Sequence, residues 1–549
     1  MKRSLFIAIT CVCSVIVGEA CTNIIVGKKA SCDGSVFISY NADSYGAYGI
    51  MQHFPAAKHP KGTMRTVRDW ESNRLLGQIE EAKETYNVVG NINEHQLCIT
   101  ETTFGGREEL VDTTGLLDYG SLIYITLQRA RTAREAIKVM DALVQRYGYC
   151  SEGETFSIAD PNEAFVMEMV GKGAGVKGAV WVAVRIPDDA VCAHANQSRI
   201  GQFLKMKGDE VIYSKDVIST ARRLKLFDGK DEDFNFAAAF CPINFANARI
   251  CEARVWSVFN LIADGMDKYL PYASGENLDA EALPLYIRPN RKLNITDVYA
   301  GMRDHFDNTP LNMVSDAGAG VWMSPYRPRP LYWEQDGKKY FNERPVGTQQ
   351  SSFAMVAQLR SGLPNAIGGV LWFSNDDAHT TPYTPVYCCA TKVPDCYTLK
   401  WGNAVKFSWK SAYWVQNWVS NMVYPRYSQL MPDVKIARDD LDSLFIVRQK
   451  NIEAQALALY QQDKQKAVAY LTNYSLNCAD TMMTRWRELG EYLIVKYNDM
   501  VERVDDGHGS FKVSSSGQDT IMAKVLSPGY PAEVKKKIAE ETGTKYLVK

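Results

Sequence analysis

Hydrophobic residues change their spacing several times along the 549-residue chain, and each change marks a different kind of element. An apolar run over 5–17 follows Lys2 and Arg3 and ends in the small-residue exit Gly18-Glu19-Ala20. That layout predicts a removable secretory leader over 1–20, too short to cross a bilayer as a helix. From Cys21 the pattern turns β-prone. Residues 21–27 and 36–43 read as strands on either side of the turn residues Ser31-Cys32-Asp33-Gly34. A hairpin folded about Cys32 pairs Val26 with Ile38 and Cys21 with Asp43, which sets a carboxylate beside Cys21.

Further on, residues 86–89 and 97–103 read as strands around the turn Asn93-Glu94-His95-Gln96. Thr132 and Glu135 form a capping-box pattern, Ile137, Met140 and Val144 mark one helical face, and Gly148 is a stop signal. Residues 156–159 and 164–169 then flank the turn Asp160-Pro161-Asn162-Glu163, with another strand at 180–185. From about 435 the period becomes helical: Ala467, Leu471 and Tyr474 share one face, as do Trp486, Leu489 and Leu493. The expected organisation is a leader over 1–20, a main domain over 21–435, packed helices over 436–500 and a loose C-terminal extension over 501–549, rich in Gly and Ser over 507–517. No internal repeat is evident.

Composition narrows the function. Apolar residues make up 46% of the chain and charged residues 23%, ordinary for a globular protein. A formal net charge of -1 leaves no basic footprint for nucleic acid. After the leader no long uncharged apolar run remains, so no integral membrane segment is expected. No Cys or His pairs stand at zinc-site spacing and the seven histidines are scattered, without an HExxH, which disfavours a metal enzyme; no cofactor is expected. Of thirteen cysteines, Cys11 and Cys13 fall in the leader, so the remaining number is odd and at least one thiol stays unpaired in a chain not cross-linked to another. Cys388, Cys389 and Cys396 read equally as a local disulfide or as buried small hydrophobes.

Cleavage after Ala20 would leave Cys21 carrying both a thiol and a free α-amine. The alternative is a lipoprotein whose cysteine is acylated. That requires a large aliphatic residue three places earlier, where the chain has Gly18, and usually a polar tether afterwards, where it has a strand. The α-amine has an ordinary pKa near 7.7 to 8.0, so it accepts the thiol proton near neutral pH without a histidine base. Asp43 would orient the ammonium; read alone, it is equally a turn aspartate ending a strand. An attacked amide becomes a tetrahedral oxyanion, which needs preorganised donors such as an asparagine side chain.

The runs CTNIIVGKKASCDGS, YNADS, NEHQLCITETTFGG at 93–106 and AHANQSRIG at 193–201 resemble the PepD-type dipeptidases. These are cysteine members of the N-terminal-nucleophile hydrolases, more distantly similar to penicillin V acylase and bile salt hydrolase. Further similarity lies in GENLDAEALPLYIRPNRKLNITDVYAGMRDHFDNTPLNM, ERPVGTQQSSFAMVAQLRS and PNAIGGVLWFSNDDA, so the resemblance covers 21 to roughly 500. It implies an α+β fold of four αββα layers and hydrolysis of a dipeptide or short peptide, with a non-peptide N-acyl amide as the alternative substrate. A non-catalytic, lipid-anchored surface protein is the rival from another class.

The resemblance also implies roles: Cys21 as nucleophile, its amine as base, Asp43 as orienting group and Asn196 as oxyanion donor. Asn196-Gln197-Ser198 fits a glycosylation sequon as well. Arg254 matches an arginine near the thiol in the relatives; by itself it reads equally as a surface or core-edge residue. The chain departs from its relatives in having Tyr40 where they commonly carry arginine, three residues before the aspartate, and Gln96 where their turn has glycine. Thr102 and Thr103 read as strand residues. Export to the periplasm or the outside of the cell follows from the leader.

Overall fold

The computed structural model of the chain describes residues 21–206, 210–512, 525–526 and 529–548. The expected leader and residues 513–524 of the expected C-terminal extension lie outside the described residues.

Two antiparallel sheets organise the chain, and helices cover their outer sides. The first sheet has seven strands, in the order Tyr286–Ile287, Val191–His194, Asn23–Val26, Val36–Asp43, Ser351–Leu359, Val370–Asn375, Thr384–Tyr387. The second has eight: Val211–Tyr213, Ala179–Ile186, Ala164–Gly171, Gly153–Ala159, Cys98–Gly105, Ile92–Asn93, Val88–Val89, His53–Phe54. Alternation along each strand divides the side chains between two cores. In Ala164–Gly171, Val166 and Val170 pack into the core shared with the first sheet, whereas Phe165, Met167 and Met169 pack under helices Tyr119–Leu127 and Ala133–Tyr147. The result is an α+β fold.

Polar side chains tie the two sheets together. Asn23 Nδ2 donates to Thr100 Oγ1 at 2.7 Å, and the His194 ring bonds Ser157 Oγ at 2.6 Å and Thr102 Oγ1 at 2.8 Å. All five side chains are fully buried. A buried polar group left without its partner costs about 1–3 kcal/mol, so the seam fixes how one sheet lies on the other. It begins two residues after Cys21.

Helix Ala133–Tyr147 forms as expected. Thr132 accepts a hydrogen bond from Glu135 N, Ile137, Met140 and Val144 are buried, and Gly148 ends the helix at φ 83°. The Glu135 carboxylate reaches Arg131 N rather than Thr132, so half of the capping box is made. On the far side of the first sheet, Ile295–Met302 packs on Val36–Asp43, and the long helix Lys464–Tyr497 packs on Thr384–Tyr387. Leu471, Trp486 and Leu493 belong to the same core as the first sheet. Helix Tyr427–Gln462 runs through position 435.

The first hairpin differs from the expected register by one residue. Ile25 pairs with Ile38, Val26 with Phe37, and Thr22 bridges to Asn41, which brings Cys21 opposite Ala42 instead of Asp43. The cause is the connection, which is not a tight turn about Cys32. Ser31 bridges to Leu293 and Cys32 N donates to Leu293 O at 2.8 Å, so the loop is held open and its centre shifts. Asp43 pairs instead with Ser351 of the neighbouring strand. Cys388, Cys389 and Cys396 are free thiols, which excludes the local disulfide.

Candidate active site

Cys21 ends up buried, at 1% exposure, where the two sheets meet a cleft of about 460 Å³. Its Sγ lies 3.8 Å from the Tyr40 hydroxyl and 3.9 Å from Glu101 Oε1. Asp43 lines the same cleft, so the shifted register separates it from Cys21 along the strand without removing it from the site.

Arg254 is the hub. It stands in the first turn of helix Ala253–Asn260, directly after the π-helical segment Ala248–Glu252. Extra-residue turns of this kind re-aim side chains and recur at functional sites. Its Nε donates to Ile250 O in that segment, Nη1 donates to Cys21 O and to Thr22 Oγ1, each at 2.6 Å, and Nη2 donates to Asn196 Oδ1 at 2.8 Å. One planar guanidinium therefore grips the Cys21 backbone and the Asn196 carboxamide together. Burial, followed by the nearby Arg344 charge, pushes its pKa down to about 10, which leaves it charged at neutral pH.

Asn196 follows the strand Val191–His194 and is fixed at both ends of its amide, because Nδ2 donates to Thr103 O at 2.6 Å. Neighbours hold the same loop. Buried Glu168 accepts from Ser198 Oγ, from Arg199 N and from Ile200 N, and Arg199 pairs with buried Glu252 at 3.0 Å while donating to Ala193 O. Burial raises the Glu168 pKa to about 7. The sequon reading gains nothing here: Gln197 and Ser198 are buried and the Asn196 amide is engaged inside the protein. Thr102 Oγ1 bonds the Ala195 carbonyl as well as His194, and Thr103 Oγ1 donates to Glu154.

Asp43 is held by two groups that inspection of the sequence did not single out. Arg344 Nη2 and Ser351 Oγ both bond its carboxylate, at 2.5 Å, with Asp43 and Arg344 almost fully buried. Arg344 is the guanidinium that pairs with Asp43. Tyr40 has a different partner, donating its hydroxyl hydrogen to Glu101. Arg344 and Ser351 lie inside the run ERPVGTQQSSFAMVAQLRS and Glu101 inside NEHQLCITETT, both already noted. Glu101 had a visible signal, a lone carboxylate inside an otherwise uncharged strand run. The structure thus links Cys21, Asn196 and Arg254 by direct hydrogen bonds and brings Asp43 into the cleft that Cys21 lines. Among the described residues no cluster of three or more His, Cys, Asp or Glu could hold a metal ion, and no helix is long and apolar enough to cross a membrane.

The model of peptidase family C69 matches residues 20–440. A probable dipeptidase of Latilactobacillus sakei is 25% identical over 74% of the chain and 82% of its own length. One from Salmonella dublin is 25% identical over 67% and 81%, and dipeptidase A of Lactobacillus helveticus is 24% identical over 89% and 97%.

Proposed function

The chain belongs to peptidase family C69, and on that premise we propose that it is an exported cysteine dipeptidase whose nucleophile, Cys21, becomes the first residue when the leader is removed. The observation that carries the proposal is the double grip of Arg254 on the Cys21 backbone and the Asn196 side chain. It locks a nucleophile and an oxyanion donor into one frame. Near-rigid placement of reacting groups is worth several powers of ten in rate.

The proposed reaction runs as follows. The α-amine of Cys21 takes the thiol proton, and the thiolate attacks the scissile carbonyl carbon. The tetrahedral oxyanion is stabilised by Asn196. It collapses as the C–N bond breaks, and the leaving amine carries off the proton held by the Cys21 amine. Water then attacks the thioester, giving up a proton to the same amine; the C–S bond breaks and the thiol is restored. Asp43, fixed by Arg344 and Ser351, orients the Cys21 ammonium during each transfer.

The two facing sheets with helices outside them support an αββα layering of the N-terminal-nucleophile type. The burial of Cys21 tells against a lipid-anchored protein, since an acylated thiol would have to leave the fold. The test is a panel of dipeptides set against N-acyl amides, with Cys21→Ala as control. Cleavage of dipeptides, abolished in the variant, is expected. Preferential cleavage of N-acyl amides would replace the dipeptidase reading with an acylase one, and activity surviving Cys21→Ala would remove the mechanism.

A further inference from the structure

Trp70 is an indole that the fold holds in place and leaves partly open. It lies in the connection between strands Met64–Arg68 and Leu75–Glu80, a hairpin that makes a two-stranded sheet of its own. Val67 and Ile79, at no more than 2% exposure, fasten that hairpin to the core under helix Tyr119–Leu127. The tip is fastened separately. Trp70 N donates to Asp118 Oδ2 at 3.0 Å, and Ser121 Oγ donates to Arg68 O at 3.0 Å. A Cβ on Gly120 would lie 2.3 Å from Trp70 Cγ, so the first turn of the helix is cleared to seat the indole. The indole packs against the Tyr124 ring with centroids 4.7 Å apart.

Packing does not use up the ring. Trp70 keeps 38% of its surface exposed, and both it and Tyr124 line the cleft that Cys21 lines. Phe353 reaches the same cleft from the first sheet, in edge-to-face contact with Tyr40 at 5.4 Å. Rings from two parts of the fold thus border one space. The carboxylates there are already engaged: Asp43 by Arg344 and Ser351, Glu101 by Tyr40, and Glu71 is not free either. What the wall offers a ligand is ring surface. Covering a large apolar side chain is worth about ten- to a hundredfold in affinity. A well-placed pair of rings adds up to about tenfold more.

We propose that Trp70 and Tyr124 form a subsite for an aromatic side chain of the substrate, so that the cleft favours dipeptides carrying one. This deepens the peptidase reading above, which sets no side-chain preference of its own, and rests on it.

The protein processed to begin at Cys21 is assayed as wild type, Trp70→Ala and Trp70→Leu with the dipeptides Phe-Ala, Ala-Phe, Lys-Ala, Ala-Lys and Ala-Ala. In the wild type at least one of the two Phe dipeptides should exceed Ala-Ala about 30-fold in kcat/KM, mainly through KM. In Trp70→Ala that ratio should collapse to about threefold or less. Trp70→Leu keeps apolar cover over Gly120, and its ratio should fall between the two; it is read alone where the alanine variant is inactive on every dipeptide. A wild type that cleaves dipeptides without favouring Phe, one that favours Lys over Phe, an undiminished ratio in the variants, or equal losses on every dipeptide in Trp70→Leu would overturn the subsite alone. A wild type inactive on every dipeptide overturns the peptidase reading and the subsite with it.

Discussion

Arg254 does with one side chain what neither Cys21 nor Asn196 can do alone, since its two Nη groups hold the Cys21 carbonyl and the Asn196 carboxamide at 2.6 and 2.8 Å. A lysine offers a single point charge and cannot reproduce that fork. In Arg254→Lys, kcat/KM should fall about 100-fold with KM little changed, the effect of misplacing reacting groups by an ångström; steady-state kinetics on a dipeptide check this, and an unaltered kcat would contradict it. Individual residues of the site were unevenly legible in the sequence. Cys21 was marked by its place after the expected leader, and Asn196 and Arg254 by the family resemblance of the runs that hold them. Arg344 was not, because its link to Asp43 spans 301 positions and no periodicity reports a contact of that range.

At the scale of elements, the turn at Gln96 shows how side-chain bonds accommodate an unfavourable backbone conformation. Gln96 adopts φ 65°, a conformation that favours glycine. Its side chain offsets this by donating to Arg360 O and Asn365 Oδ1 and accepting from Arg360 N, joining the turn to the end of strand Ser351–Leu359. A Cβ on Gly368 would lie 2.7 Å from Gln96 Nε2, so the pocket for the amide is tightly built. Glycine in place of Gln96 relieves about 1–2 kcal/mol of backbone strain but forfeits three hydrogen bonds of about 1 kcal/mol each. Urea midpoints should therefore rank wild type above Gln96→Gly and Gln96→Ala lowest; a glycine variant more stable than wild type would refute this account. Strand and helix positions were largely visible from periodicity, Ala133–Tyr147 almost to the residue. The register of the first hairpin was not, because it is set by Leu293, far away in the chain, rather than by the local turn.

Across the whole molecule, the polar seam between the sheets makes stability depend on pH. Burial holds the His194 and His305 rings down to about 3, so both stay neutral in the folded protein. Each ring contributes stability that is complete above its unfolded pKa near 6.5 and is lost as pH falls from there towards 3. At pH 5 the loss is about 2 kcal/mol per ring. Glu168 and Asp377, raised by burial to about 7, act in the opposite sense, with stability present below the ordinary carboxylate range and lost as pH rises through 7. Comparing His194→Gln with wild type isolates the ring. The variant's penalty at pH 7, from disturbed bonds to Ser157 and Thr102, should shrink by about 2 kcal/mol by pH 5; a penalty independent of pH would show that His194 is not held neutral. The α+β class was legible from the order of elements. The seam was not, since Asn23, Thr100, Ser157 and His194 look like ordinary strand polar residues until the two sheets face each other.

The central claim is that the enzyme needs the α-amine of Cys21 as well as its thiol. It is tested most directly by comparing dipeptide hydrolysis by protein beginning at Cys21 with the same chain keeping Ala20 ahead of it, the N-terminus of each defined by intact mass. Activity should appear only in the protein that starts at Cys21. Equal activity with Ala20 retained would contradict the account.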